Sequence, residues 1–338
     1  MTNDQCRDAL FEASLQQPTT NHQPPTNLMN QVSQSNSPSN WLYAFWKFSR
    51  PHTIIGTSLS VLGLYLIAFA ISNGSFSLSP ILLAWLACLC GNVYIVGLNQ
   101  LEDVAIDKIN KPHLPIASGE FSRQTGKVIV AITGVLALLI AWLGGPFLLG
   151  MVAISLAIGT AYSLPPIRLK RFPFWAALCI FSVRGAIVNL GLFLHFSWVL
   201  RQNNLIPVIP AVVWVLTIFI LVFTFAIAIF KDIPDMEGDL QYNITTLTIQ
   251  LGKQAVFNLA LWVLSICYLG MILVAFLRLA EVNSLFLVIT HFLALGAMWW
   301  RSRGVDLQEK SAIARFYQFI WKLFFIEYLI FPLACVLA

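Results

Sequence analysis

Charged side chains are scarce in this sequence. Asp, Glu, Lys and Arg make up 10% of its 338 residues, where a soluble domain carries roughly 25%. That shortfall excludes a chain whose whole surface faces water. The cysteines are equally uninformative as ligands. Cys6, Cys88, Cys90, Cys179, Cys267 and Cys335 include no CxxC pair, and five of them lie in apolar runs. Cys88 and Cys90 point to different faces of a helix, so neither a structural metal nor a disulfide framework is expected. The net charge of +5 invites a nucleic-acid reading. The basic residues sit instead at the ends of apolar segments, which is membrane topology, and no nucleic-acid partner is expected.

What is abundant is hydrophobicity, at 58% of residues. It is not spread evenly. Residues 1–40 are rich in Gln, Asn, Ser, Thr and Pro and bury too little apolar area to offset their ordering entropy. They are expected to form a disordered polar tail. The tail lacks a signal-peptide core, and its acids Asp4, Asp8 and Glu12 suit an organellar transit peptide badly. Residues 41–338 read as one transmembrane domain. Apolar stretches of bilayer-spanning length recur at 53–72, 80–100, 125–143, 146–163, 173–196, 207–230, 253–277, 282–300 and 316–337. The expected fold class is an all-α, polytopic bundle of about nine transmembrane helices. Gly144-Gly145-Pro146 makes the third and fourth a tight hairpin.

Lys and Arg concentrate on the N-terminal segment and alternate connections: Arg7, Lys47 and Arg50; Lys108, Lys111, Arg123 and Lys127; Arg168, Lys170 and Arg171; Lys231 and Lys253; Arg301, Arg303, Lys310 and Arg315. The opposite connections hold only Arg201 and Arg278. The positive-inside rule places the N-terminus and the even-numbered connections in the cytoplasm.

Two acidic motifs stand out. Asn99-Gln100-Leu101-Glu102-Asp103 through Asp107 closes the second helix, and Lys231-Asp232-Ile233-Pro234-Asp235 through Asp239 closes the sixth. Asn99, Asp103 and Asp107 are four apart, and Asp232, Asp235 and Asp239 follow a three-then-four spacing. Each set stacks on one helix face. The motifs align without gaps, 99 with 231, 103 with 235 and 107 with 239. Four helices separate them, so both copies point the same way, as in a repeat of two four-helix units plus one. A lone DxxxD is most simply a solvated helix end. Two copies in register on one membrane face suit a pair of Mg²⁺ ions clamping a diphosphate, since Mg²⁺ prefers carboxylate and phosphate oxygens.

Lys111, Arg168, Lys170, Arg171 and Lys231 fall on the same face and could hold the diphosphate or a substrate carboxylate; the plainer reading is anchors at lipid headgroups. Arg184, near the middle of helix five, is costly there and is expected to pair with Glu327 or another acid, or to bind substrate. His195 and His291 read as core residues. A secondary transporter would also have many helices and a repeat, but it places its binding groups near the midplane.

The paired motifs over nine helices resemble the UbiA superfamily of intramembrane aromatic prenyltransferases. So do Arg50-Pro51, the 114–119 stretch LPIASG, and Tyr162 through Lys170-Arg171. The likeness covers roughly 45–338. Within it, Asn99-Gln100 in place of Asn-Asp, with Lys108 to Pro112 and LPIASGEFS, resembles homogentisate prenyltransferases rather than 4-hydroxybenzoate or chlorophyll enzymes. His113 stands where an aromatic residue is usual. The resemblance implies prenyl diphosphate, most often phytyl diphosphate, and homogentisate as substrates and Mg²⁺ as cofactor. Carbon dioxide would be lost on the way to tocopherols. It assigns Asn99, Asp103, Asp107, Asp235 and Asp239 to the metal–diphosphate motifs and Lys170 and Arg171 to substrate binding. It also implies an integral protein among membrane lipids of a photosynthetic cell, in the plasma or thylakoid membrane. The tail resembles a cyanobacterial rather than a plastid form.

Overall fold

The computed structural model describes residues 38–72, 75–201, 207–241, 246–277, 279 and 281–338. The tail expected at 1–40 lies outside the described residues apart from its last three, which open the first helix. Tyr43–Ala338 forms one compact unit. Among the described residues there is no strand, and nine helices are long and apolar enough to cross a membrane.

The elements are α1 (Pro38–Phe48), α2 (Pro51–Ser72), α3 (Leu78–Glu102), α4 (Val104–Asn110), α5 (Pro115–Ser118), α6 (Arg123–Gly144), α7 (Pro146–Ser163), α8 (Pro173–Phe181), α9 (Val188–Leu200), α10 (Ala211–Gln241), α11 (Leu247–Leu251), α12 (Lys253–Phe276), α13 (Ser284–Ser302) and α14 (Lys310–Val336). The spans are α2, α3, α6, α7, α8 with α9, α10, α12, α13 and α14. The apolar runs place all nine. The α6–α7 hairpin turns on Gly145 alone, whose φ of 106° is open to glycine and strained for other residues; Pro146 then starts α7 at a position where its missing N–H costs nothing. Ser122 caps α6 by accepting from the Thr125 N–H.

Two departures from the sequence reading matter for function. The sixth helix does not stop near residue 230; α10 continues to Gln241 with Pro234 inside it, so the second motif is helical throughout. The first motif is not one unbroken helix. The chain breaks at Asp103 (φ −108°, ψ 19°) and restarts as α4. A break strands carbonyls at the helix end, and arginines donate to them: Arg123 to Leu101 O at 3.0 Å and Arg168 to Glu102 O at 3.5 Å. The Asp103 N–H still reaches Asn99 O, and Asp107 N–H still reaches Asp103 O. The four-residue register therefore survives the break.

Candidate active site

The two motifs meet at one end of the bundle. Lys111 closes α4 and places Nζ 2.6 Å from Asp235 Oδ2 on α10. Next to it, Asn110 Oδ1 accepts from the Gly238 N–H at 3.1 Å. A Cβ on Gly238 would lie 2.3 Å from that oxygen, so any larger residue would press on the Asn110 side chain that joins α4 to α10.

The cations divide between the motifs. Asp103 forms an ion pair with Lys170 at 2.7 Å and accepts from Arg168 at 3.3 Å. Asp235 takes Lys111 and, at 3.6 Å, Lys231, which also lies 3.0 Å from Asp232. Asp107 and Asp239, the next pair in the repeat alignment, are buried. Asp107 Oδ2 has no hydrogen-bond partner there. Thus Asp103 and Asp235 correspond in bearing lysine, and Asp107 and Asp239 correspond in being buried without an ion pair among the described residues. Burial raises the Asp107 carboxyl above its ordinary range, although Arg50 and Lys111 pull the other way. Burial likewise lowers Lys111, against the pull of Asp235, and lowers Lys170, against Asp103. Each group carries its charge at a cost and would gain from further counter-charge.

In the sequence Arg50 is a topology marker and, with Pro51, part of the family resemblance, but it is not among the expected site residues. The structure brings its guanidinium to the first motif, with Nη2 3.4 Å from Asn99 Oδ1 and Nε buried without a partner. Arg50 and Arg168 both have positive φ, 54° and 39°, an uncommon conformation outside glycine that clusters at functional sites. Two strained backbones therefore aim two guanidinium groups at one acidic motif. A signal lay in the sequence, since Arg50-Pro51 sits on the motif face. Arg171, by contrast, is exposed, beside the half-buried Lys170.

Gln100 leaves the site altogether. It is buried and donates to Phe48 O at 2.7 Å, closing the end of α1. Its partner in the repeat alignment, Asp232, faces Lys231 instead. Arg184 corrects another expectation. Glu327 does not pair with it; Glu327 Oε2 lies 3.2 Å from His291 Nε2, so His291 is a partnered residue.

A bundle of nine membrane-length helices with a two-motif carboxylate rim at one end is the architecture of an intramembrane transferase. The chain belongs to the UbiA prenyltransferase family, whose model matches residues 60–323. It is 57% identical to a homogentisate phytyltransferase of Synechocystis sp. over 87% of this chain and 96% of that protein. It is 40% identical to homogentisate phytyltransferase 1 of Arabidopsis thaliana over 86% of this chain and 75% of that one. The fold is similar to a UbiA homolog from Archaeoglobus fulgidus bound to GPP and Mg²⁺, with a TM-score of 0.59 at 16% identity, covering 87% of this chain and all of that one.

Proposed function

We propose that this protein transfers a phytyl group from phytyl diphosphate to homogentisate, with loss of carbon dioxide, in tocopherol synthesis. The similarity to the Synechocystis phytyltransferase, nearly end to end on that protein, carries the reading most directly. The rim supports it with chemistry. Its donor set is all oxygen, its buried Asp107 Oδ2 lacks a partner, and its cations lie alongside its acids. That combination fits Mg²⁺ and a diphosphate together. Asn99, Asp103 and Asp107 would hold one ion and Asp232, Asp235 and Asp239 the other. When bound, Mg²⁺ would neutralise charge on the leaving diphosphate.

The protein's own side chains do the rest. Lys111, Lys170, Arg168 and Lys231, now on carboxylates, would share their charge with the diphosphate, and the Arg50 Nε–H is a donor awaiting an acceptor. The prenyl C–O bond breaks and its electron pair leaves with the diphosphate. A ring carbon of homogentisate bonds to the freed allylic carbon and loses its proton. The carboxylate departs as carbon dioxide, and the methylene it leaves gains a proton to become the methyl group. The apolar bundle keeps water from the allylic carbon.

The test supplies membranes containing this protein with homogentisate and phytyl diphosphate. The expected product is a methyl-phytyl-benzoquinol, lost on chelation and restored by Mg²⁺. Absence of that product, with other aromatic acids prenylated instead, would overturn the assignment.

A further inference from the structure

Between α8 and α9 the chain does not continue as an ordinary helix. Residues Ser182–Ile187 form a π-helical turn, a local widening often found at functional sites. Arg184 projects from it. A Cβ on Gly185 would lie 2.6 Å from Leu221 Cγ and 3.0 Å from Leu221 Cα, so glycine lets the turn press against α10. Asn189 holds the turn from the other side. It donates to Gly185 O at 2.6 Å and accepts from the Tyr328 hydroxyl at 2.8 Å.

The guanidinium so placed has aromatic company and no acid. It lies 4.9 Å from the Trp321 ring centre and 5.8 Å from that of Phe324. Among the described residues it forms no ion pair or hydrogen bond. Glu327, the acid that the sequence offers it, is engaged by His291. Arg184 lines a pocket with Thr57, Ser60, Asn92 and Tyr328, and it is only partly buried. On α3 the pocket is lined by Asn92 and Ile95, on the helix that carries Asn99 at its end. Trp321 carries Arg184 on its ring and also meets His52, at 4.9 Å between centres, and His52 is two residues from Arg50.

A cation inside a membrane bundle is costly unless something neutralises it. Aromatic faces stabilise arginine in part but leave its in-plane N–H groups unmet, and those match a carboxylate fork. We propose that Arg184 is the carboxylate-recognition residue for the aromatic substrate, an arylacetate anion, with the ring in the mainly apolar pocket that Arg184 lines. This rests on the homogentisate reading above. The positive charge then serves two roles, the rim cations holding the diphosphate and Arg184 selecting the acceptor.

Binding without turnover tests it. Purified protein is titrated with homogentisate and with its neutral amide, 2,5-dihydroxyphenylacetamide. Wild type should prefer the acid. Arg184→Gln should weaken homogentisate by roughly 30-fold or more, the scale for truncating one side of a buried charge pair, with amide affinity and the KM for phytyl diphosphate within about twofold of wild type on the same scale. Arg184→Lys keeps the charge but loses the fork, should fall between the two, and decides the matter if the glutamine variant does not fold. Equal loss of acid and amide would overturn the proposal, as would a rise in the diphosphate KM alone. Wild type that binds homogentisate in an Arg184-dependent way but transfers nothing to it would keep this site and remove the reaction.

Discussion

Asn110 and Gly238, 128 positions apart in sequence, are joined by a hydrogen bond of 3.1 Å from the Gly238 N–H to the Asn110 side chain. Each adjoins a residue proposed for the site, Asn110 preceding Lys111 and Gly238 preceding Asp239. The contact sets the spacing between the two acidic motifs, and with the Lys111–Asp235 bridge beside it fixes how α4 meets α10.

Gly238→Ala should therefore cut turnover by at least tenfold, because misplacement of about 1 Å can cost on the order of 100-fold. Inserted protein should remain abundant. Asn110→Ala in the same chain vacates the space that the new Cβ needs. The double variant should recover part of the lost rate. A double variant no better than Gly238→Ala, measured as kcat in detergent, would show that the contact does not set the spacing.

The carboxylates should act as one unit. Asp103→Ala, Asp107→Ala, Asp235→Ala and Asp239→Ala should each lower kcat by roughly 100- to 1,000-fold, the range for losing one electrostatic contact to the transition state. Effects of residues that act together do not add, so Asp103→Ala with Asp235→Ala should be little worse than either alone. Near-normal activity of any single variant at saturating Mg²⁺ would sink the two-motif clamp.

Buried inside the bundle, Glu327 and His291 should matter for stability and not for chemistry. His291→Leu leaves a carboxylate stranded and should cost about 3–5 kcal/mol. Replacing both with leucine removes the charge and should restore most of the loss. Thermal unfolding in detergent, followed alongside prenyl transfer, separates the two roles.

Much of this arrangement is legible in the sequence because it is periodic. Bilayer-length apolar runs fix nine spans, and the four-residue acid spacing fixes the rim. What escapes is tertiary. The break at Asp103 depends on Arg123 and Arg168, distant in sequence, donating to the carbonyls it exposes. The apolar run of the sixth span ends at residue 230, yet α10 continues through Pro234 to Gln241. Glu327 stands five residues from Lys322 and far from both Arg184 and His291 in the chain; only the way α13 meets α14 selects His291. Gln100 lies among motif residues and points away from them, toward Phe48.

Alternate charge bias gives a topological expectation. Cysteines placed at Lys108 and Gln241, in a background without native cysteines, should react with a membrane-impermeant maleimide from the cytoplasmic side. One at Phe76, in the α2–α3 connection, should react only from the opposite side. Labelling of Lys108 and Gln241 from different sides would mean that the two motifs cannot share a site.

The order of bond breaking and bond making at the allylic carbon is the most discriminating question. The rim offers carboxylates and cations for a departing diphosphate, but the aspartates are engaged by lysine and arginine or buried, and none is placed as a free nucleophile for a covalent prenyl–enzyme step. Inside the bundle, Tyr328 lines the pocket; an aromatic ring favours positive charge on carbon, and apolar helices exclude the water that would trap it. These features favour ionisation first, with the ring of homogentisate capturing an allylic cation held near contact distance, about 3–3.5 Å. Ionisation would then limit the rate. Fluorine at the allylic position withdraws electrons and destabilises the cation, so a fluorinated phytyl diphosphate should turn over more slowly by orders of magnitude while competing for the site almost as well as phytyl diphosphate. Single-turnover rates together with competitive inhibition constants separate the two effects. A fluorinated substrate that reacts at nearly the normal rate would favour direct displacement by the ring, and Tyr328 would then serve to shape the pocket and not to stabilise charge.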